Sequence, residues 1–563
     1  MKKQSFLKGS AILLGMVLLT KAIGLAYKIP LTRILGGSGM AYYSGAFAVC
    51  TPLLAAAVSG ITTAVARLTA ESFALGRYAN ARKIRRCALL VYSLEGLTAA
   101  VVLSAASLPL AESFLHDSRA VWTVLALAPA IVFSALLNAE RGYYEGLRNM
   151  LPTARSEILE TVIRAALGLA GAVSVLKYAQ SSFKSSHGAF GCFFPTSDDA
   201  RAAALPIAAA AAIFASSAAT ACAFLYTVIS GRRCGDGMTK AMLRSDPVTD
   251  QSSRIMKQLF SFSLPIAGAA VITTLTSTID LLTVSRGISR AIAAGMPAAA
   301  DLPADRLPDF MYGSYTGLAL MVTSLVPTFT AMFGKTSSAP LTEALSKRDQ
   351  KALSAQVSRL LSVTALTAFP CGAAAAVMPK ELLSFLFSGR TNEIEAASAP
   401  MGILAFACIF SAFSLPCLTA LQTLGCKAAP IVLMLLGGGV KLALNLLLIP
   451  RPELGLKGAA LATLMSQGII CISAAALLLR RTKTSLRPGK TVFPPLFAAF
   501  LSASAARLVT DRCRALTAPD SRFACAAGLC CCAAVYLTAL WMMDMIPKSS
   551  VRAYFSKKFG KTY

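Results

Sequence analysis

Uninterrupted apolar blocks constrain this chain more than any other feature. LLGMVLLT, ALAPAIVFSALL, LPIAAAAAIFA and AALATLMSQGIICISAAALLL are the plainest of them. Blocks near 20 residues are what a hydrocarbon layer of about 30 Å demands of a spanning helix. Composition agrees, with 56% hydrophobic and 14% charged residues, against about 25% charged in a soluble domain. A disordered, collagenous or disulfide-stapled secreted protein is excluded. The pattern predicts fourteen spans, at 9–29, 42–66, 87–108, 120–139, 156–176, 202–229, 259–284, 311–333, 356–378, 397–421, 429–449, 457–479, 491–510 and 523–545. The longest connections, between spans 5 and 6, 6 and 7, and 7 and 8, hold about 25–30 residues, too few for an independent catalytic domain. Lys2, Lys3, Lys8 and the following apolar run look like a secretory signal, but Lys21 and Lys28 follow in the same stretch and many spans come after. The first block is therefore read as a retained helix.

The net charge of +28 comes from 54 Lys and Arg against 26 Asp and Glu. In a soluble chain it would suggest nucleic acid; here it partitions by topology. With fourteen spans both termini share one side. That side holds 34 of the Lys and Arg, in RYANARKIRR (77–86), GRRCGDG (231–237), SKRDQK (346–351), RRTK (480–483) and the C-terminal tail. The opposite side holds 16, and Lys21, Arg164, Lys441 and Arg507 fall within spans. The positive-inside rule then places both termini in the cytoplasm, facing anionic phospholipid. No nucleic-acid partner is expected.

Weak internal repeats join the two halves. FSALL (133–137) pairs with FSAFS (410–414) at an offset of 277, which also places Arg164 on Lys441. LAESFL (110–115) pairs with LLSFLF (382–387), and YSG (43–45) with YTG (315–317), at offsets near 271 and 272. A shift of six spans preserves orientation, as in transporters built from parallel repeats. The expected fold is an all-α polytopic membrane protein. Two six-helix lobes (1–230 and 259–480) are joined by a linker (231–258), followed by an extra helix pair (491–545) and a basic tail (546–563).

The opening LKGSAILLGMVLLTKAIGLAYKIPLTRILGGSGMAYYSGAF, the stretch RGYYEGLRNMLPTARSEILETVIR (141–164) and GGGVKLALNLLLIP (437–450) resemble the stage V sporulation protein B family. Those proteins are polysaccharide-biosynthesis transporters of the multidrug/oligosaccharidyl-lipid/polysaccharide (MOP) exporter superfamily. The resemblance covers the whole chain. It implies a bacterial cytoplasmic-membrane flippase moving an undecaprenyl-pyrophosphate-linked sugar, such as a peptidoglycan or spore-cortex precursor, to the outer leaflet. Cell-envelope synthesis proteins are the implied protein partners. In the lipid II flippase branch basic residues of helix 1 line a central cavity. Lys21 and Lys28 hold the matching positions, whereas that branch's basic residue on helix 2 has no counterpart in TPLLAAAVSG (51–60).

Ionisable groups inside spans cost about 2.5–3.5 kcal/mol at mid-membrane, so each is a functional candidate. Lys21 and Lys28, two turns apart, share a helix face; they either meet a diphosphate in a cavity or snorkel to the interface. Pro30 is expected to bend or unwind the helix end, and GGSG (36–39) to form a turn. Arg33 is read as interfacial or substrate-touching. In span 5, Glu160 and Arg164 stand i, i+4 in the favoured order for an intrahelical pair. The alternative is that Arg164 and Lys441 present two cations to one cavity. Glu157 and Glu95 are weaker candidates for substrate or ion contact, and Asn445, one turn beyond Lys441, could bind a sugar or an ion. Asp280, with Thr276, Ser277 and Thr283 near it on the same face, offers oxygen ligands suited to a hard cation, hence to Na⁺ or H⁺ coupling, or else pairs with a cavity cation. Arg507 is expected to snorkel. The 15 Cys show no C-x-x-C; Cys530, Cys531 and Cys532 read as small hydrophobes, and a Cys192–Cys513 disulfide is disfavoured. No metal or organic cofactor is expected.

The alternatives are a flippase for exopolysaccharide or teichuronic-type repeat units, and a cation-coupled drug exporter of the same superfamily. A drug site should be acidic and aromatic-rich, whereas the intramembrane charge here is mixed. A membrane glycosyltransferase lacks the sizeable loop it would need. A non-transporting scaffold of the envelope machinery stays open.

Overall fold

The computed structural model describes residues 6–543 and 545, apart from 116, 148, 187, 191, 237, 240–241, 244–248, 297–306, 388, 427, 485–490 and 517–521. The chain divides into two compact units, Met1–Ser285 and Arg286–Tyr563.

In the first unit the helices are α1 (Phe6–Val58), α2 (Ile61–Ala74), α3 (Tyr78–Leu110), α4 (Val121–Leu125), α5 (Ala128–Gly146), α6 (Leu151–Ser186) and α7 (Ser197–Cys234). Helix α8 (Ser252–Ala293) begins in this unit and ends in the second. The second unit continues with α9 (Leu307–Thr323), which contains a π segment at Tyr315–Leu320, and α10 (Leu325–Ser346). Then come α11 (Gln350–Val377), α12 (Pro379–Leu386), α13 (Thr391–Thr423), α14 (Ala428–Leu448), α15 (Leu456–Thr482), α16 (Phe493–Leu516) and α17 (Arg522–Met542).

Among the described residues 12 helices are long and apolar enough to cross a membrane, and 13 if the bent pair α9–α10 is one span. The first of these runs 56 residues, Leu19–Ala74, about 84 Å at 1.5 Å per residue and far more than one crossing. It is broken at Gly36, the one non-helical residue inside α1, at φ 70°. That left-handed value favours glycine. Two crossings fit there, and the total comes to about fourteen.

The structure corrects several local expectations. Helix α1 passes through Pro30, since proline is tolerated in spanning helices where other groups satisfy the freed backbone. The GGSG stretch is a one-residue break rather than a turn. The fold is all-helical as expected, with one two-residue strand pair among the described residues, β1 (Gly188–Ala189) with antiparallel β2 (Cys192–Phe193). Helices overrun the apolar blocks. Thus α6 ends at Ser186 and α7 starts at Ser197, which shortens that connection to a hairpin. The basic stretch 77–86 forms the first turns of α3 rather than a loop. His116, His187 and the side chain of Cys192 lie outside the described residues.

Each unit has its own core. In the first, Ile61, Leu68, Ile84, Tyr92, Tyr143 and Leu259 bring α2, α3, α5 and the start of α8 together. Gly142 and Gly146 let α5 approach α2. A Cβ on Gly142 would lie 2.7 Å from the Thr62 carbonyl oxygen, and one on Gly146 2.7 Å from that of Ala66. This is the small-residue contact by which membrane helices pack without a hydrophobic driving force. In the second unit Leu341, Val357, Leu418 and Leu478 join α10, α11, α13 and α15. Phe369, Ala498 and Tyr536 dock α16 and α17 onto α11. The repeat is visible in the helix starts. Helices α6 and α14 begin at Leu151 and Ala428, 277 residues apart.

Candidate functional site

The first unit encloses a cluster of charge in its interior. Arg141 on α5 donates from Nη2 to Glu160 Oε2 on α6 at 2.9 Å and from Nε to Ser156 Oγ at 2.9 Å. Arg164 pairs with the other oxygen of the same carboxylate. Thr220 Oγ1 on α7 donates to Glu160 Oε1 at 3.3 Å. One carboxylate thus serves two guanidiniums. Arg164 Nε is buried with no hydrogen-bond partner among the described residues, a donor whose isolation costs about 1–3 kcal/mol.

Arg141, Glu160 and Thr220 line a cavity of about 350 Å³, together with Thr51, Ser134 and Asn138. Its wall mixes hydroxyls, an amide and the Arg141–Glu160 pair, which suits a hydroxyl-rich ligand or an anion that displaces Glu160. The intrahelical Glu160–Arg164 pair is as its spacing predicts. Arg141 was not legible as a candidate, because the first charges after an apolar block look like the end of a span. In the structure α5 continues to Gly146 and buries them.

The other candidates are distributed. Lys21, Lys28 and Arg33 lie on α1 with exposed side chains. Glu157 on α6 is half-buried. Glu95 on α3 is half-buried with Oε2 unpartnered among the described residues. Asp280 on α8 is buried in the first unit. The Thr283 hydroxyl donates to the Ile279 carbonyl at 2.7 Å, while the Thr276 and Ser277 side chains lie outside the described residues. In the second unit Lys441 and Asn445, both buried, stand four residues apart on α14. Arg507 departs from the expectation of snorkelling. It binds Glu381 at 3.1 Å and Asp511 at 3.0 Å, because α16 packs beside α12 and offers it carboxylates. Among the described residues no group of three His, Cys, Asp or Glu could hold a metal ion.

A second charged zone joins the start of α3 to the chain between α7 and α8. Arg82 makes a bidentate pair with Asp236 at 2.7 and 2.9 Å, and Tyr143 Oη donates to the same carboxylate at 2.9 Å. Arg77 and Asn80 donate to Asp250 at 2.9 and 2.8 Å. Arg85 pairs with the fully buried Glu140 at 2.8 Å. Burial pushes Asp236 upward, but the bonds from Arg82, the Met238 amide and Tyr143 outweigh it and hold the carboxyl at about 2. The Arg77 hydrogen bond lowers Asp250 in the same way.

Many spanning helices and a charged cluster beside a polar cavity describe a multi-pass membrane protein. The polysaccharide biosynthesis protein family model matches residues 6–191. Stage V sporulation protein B of Bacillus subtilis (strain 168) is 25% identical over 482 residues, covering 84% of each chain. The lipid II flippase MurJ of the same organism is 21% identical over 467 residues, covering 81% of this chain and 79% of its own. Among solved structures, an inward closed MurJ shares the fold with a TM-score of 0.62 at 12% identity, covering 95% of this chain and 99% of its own. An inward-facing MATE transporter of the MOP superfamily gives 0.59 at 13% identity, covering 85% and 100%. The chain thus shares the fold of solved MOP-superfamily proteins, and the family model covers its first third.

Proposed function

We propose that this protein flips an undecaprenyl-pyrophosphate-linked oligosaccharide from the inner to the outer leaflet of the bacterial plasma membrane, with both its termini in the cytoplasm. A peptidoglycan or spore-cortex precursor such as lipid II is the cargo. The observation that carries this reading is the Arg141–Glu160–Arg164 cluster beside a polar cavity of about 350 Å³. A diphosphate competes with Glu160 for the guanidiniums. Because the carboxylate stays within reach, the cations are re-paired once the cargo leaves, which keeps anion binding reversible. Lys21 and Lys28 are mobile point charges for the same diphosphate. Lys441 with Asn445 offers a cation and an amide from the matching helix of the second unit. Transport proceeds by alternating access. Outward movement of an anion runs with an inside-negative potential, worth about 2.3 kcal/mol per charge per 100 mV, so no nucleotide is needed. Na⁺ or H⁺ at Asp280, with Ser277 and Thr283, resets the empty carrier.

The test is outer-leaflet accessibility of a labelled precursor with the Lys21→Ala/Lys28→Ala protein. Flipping should fall at least ~10-fold, the loss of two charge-assisted phosphate contacts at about 1.4 kcal/mol per decade. A folded double variant that flips normally would overturn the assignment. The lipid-linked species that accumulates on depletion then separates peptidoglycan, cortex and exopolysaccharide cargo.

A further inference from the structure

The first turns of α3 carry five cations, and among the described residues three carboxylates pair with them. Arg77 is matched by Asp250, Arg82 by Asp236 and Arg85 by Glu140. Lys83 and Arg86 are not matched. Lys83 Nζ donates only to the Asp250 carbonyl at 2.7 Å and the Thr249 hydroxyl at 3.4 Å, and neither neutralises it. Arg86 is exposed and makes no ion pair among the described residues.

Both residues line a groove of about 560 Å³ whose other walls include Arg82, Leu90, Leu243 and Met256. The groove is therefore cationic at one edge and apolar at the other. Below it the apolar edge continues as a stripe: Leu90, Leu94, Leu97 and Val101 are 53–62% exposed. Their spacing of four, three and four residues keeps them on one face of α3. From Leu90 to Val101 the helix rises about 16 Å, the depth of one leaflet of a bilayer with a hydrocarbon core of about 30 Å.

We infer that this groove and stripe form a binding site for an anionic phospholipid, with the phosphodiester on Lys83 and Arg86 and an acyl chain along Leu90–Val101. The geometry selects a lipid over a free anion, since the cations sit one turn from a chain-length apolar track. It selects an anionic lipid over a zwitterionic one, since among the described residues the groove supplies two positive charges without an ion pair and is lined by no carboxylate. The site is separate from the cavity at Arg141, and its occupancy does not depend on what the transporter carries.

The test is retention of phosphatidylglycerol by the purified full-length protein, read by native mass spectrometry from mixed micelles that also contain phosphatidylcholine. The Lys83→Gln/Arg86→Gln protein should retain at least ~5-fold less phosphatidylglycerol. Lys351→Gln, an exposed cation lost from the start of α11, should change nothing. Glycerol 1-phosphate, the headgroup alone, should not compete at millimolar concentration. Equal losses in the two variants, no preference over phosphatidylcholine, or full competition by the headgroup would each overturn the inference. Leu94→Gln, on the exposed stripe, supplies a variant that keeps all the charges. It should lower retention of phosphatidylglycerol by a smaller factor, and unchanged retention would remove the acyl-chain track.

Discussion

The two units hold buried charge in opposite ways. In the first, α6 places Glu160 between Arg141 and Arg164 beside a cavity. In the second, the matching helix α14 carries Lys441 and Asn445, both buried. Among the described residues of the second unit, Glu381 on α12 receives Arg507 and Arg514, and Arg390 meets Glu393 at the start of α13. One repeat spends its carboxylate inside the helix bundle and the other spends it fastening α16. The same helical scaffold thus tolerates a charged interior in one copy while using charge as a clamp in the other. What the halves share is packing, and what separates them is where the acid sits.

Removing the central acid breaks this contrast most sharply. Glu160→Gln removes the ion-pair partner of Arg141, whose side chain is 9% exposed. Breaking a buried pair costs about 3–5 kcal/mol, so the unfolding midpoint in detergent should drop steeply; a loss below ~1 kcal/mol would mean the cluster is solvated. Gly146→Leu forces a side chain against the Ala66 carbonyl and Thr69 and should cost about 1–3 kcal/mol through overpacking, measured in the same unfolding assay. Glu381→Gln should cost less, about 1–2 kcal/mol, because Arg507 is 44% exposed and keeps Asp511. Proteolysis should show α16 and α17 loosening first; uniform loosening of the protein would contradict the clamp.

The smallest effect is the pH response of the α3 junction. Asp236 is held at about 2, below its ordinary 3.8, and Asp250 is also lowered. For a depressed acid the stabilisation is complete above the unfolded value and disappears as pH falls through the folded one. The junction should therefore hold unchanged above about pH 4.5 and open between about 4 and 2. Hydrogen exchange at the first turns of α3 would report it, and Asp236→Asn should exchange at neutral pH as the parent does in acid.

Much of this was legible without coordinates. Span positions, the 277-residue repeat and the Glu160–Arg164 pair follow from hydropathy and helical spacing alone. Arg141 did not, because its cost is cancelled by an acid 19 residues away, and no local window contains both partners. Glu140 with Arg85 is hidden for the same reason, at a separation of 55 residues. Pro30 and the glycines at 36–39 misled in the other direction. Local rules break helices there, and packing carries α1 through all but Gly36. Arg507 pairs with Asp511 one turn on, which spacing allows, and with Glu381, which lies 126 residues away and which no local window contains.

The acids at the α3 junction also carry a consequence for how the chain is made. Synthesis completes the cations of residues 77–86 about 150 residues before Asp236 exists, and Asp250 follows later still. While α3 is being threaded into the membrane, its positive charge stands at full strength, and it is this charge that orients short segments during insertion. The carboxylates arrive after the choice of side has been made. They quiet a signal that has already been read, so a chain with Asp236 and Asp250 neutralised should insert the same way round and fail only later, when its parts come to rest.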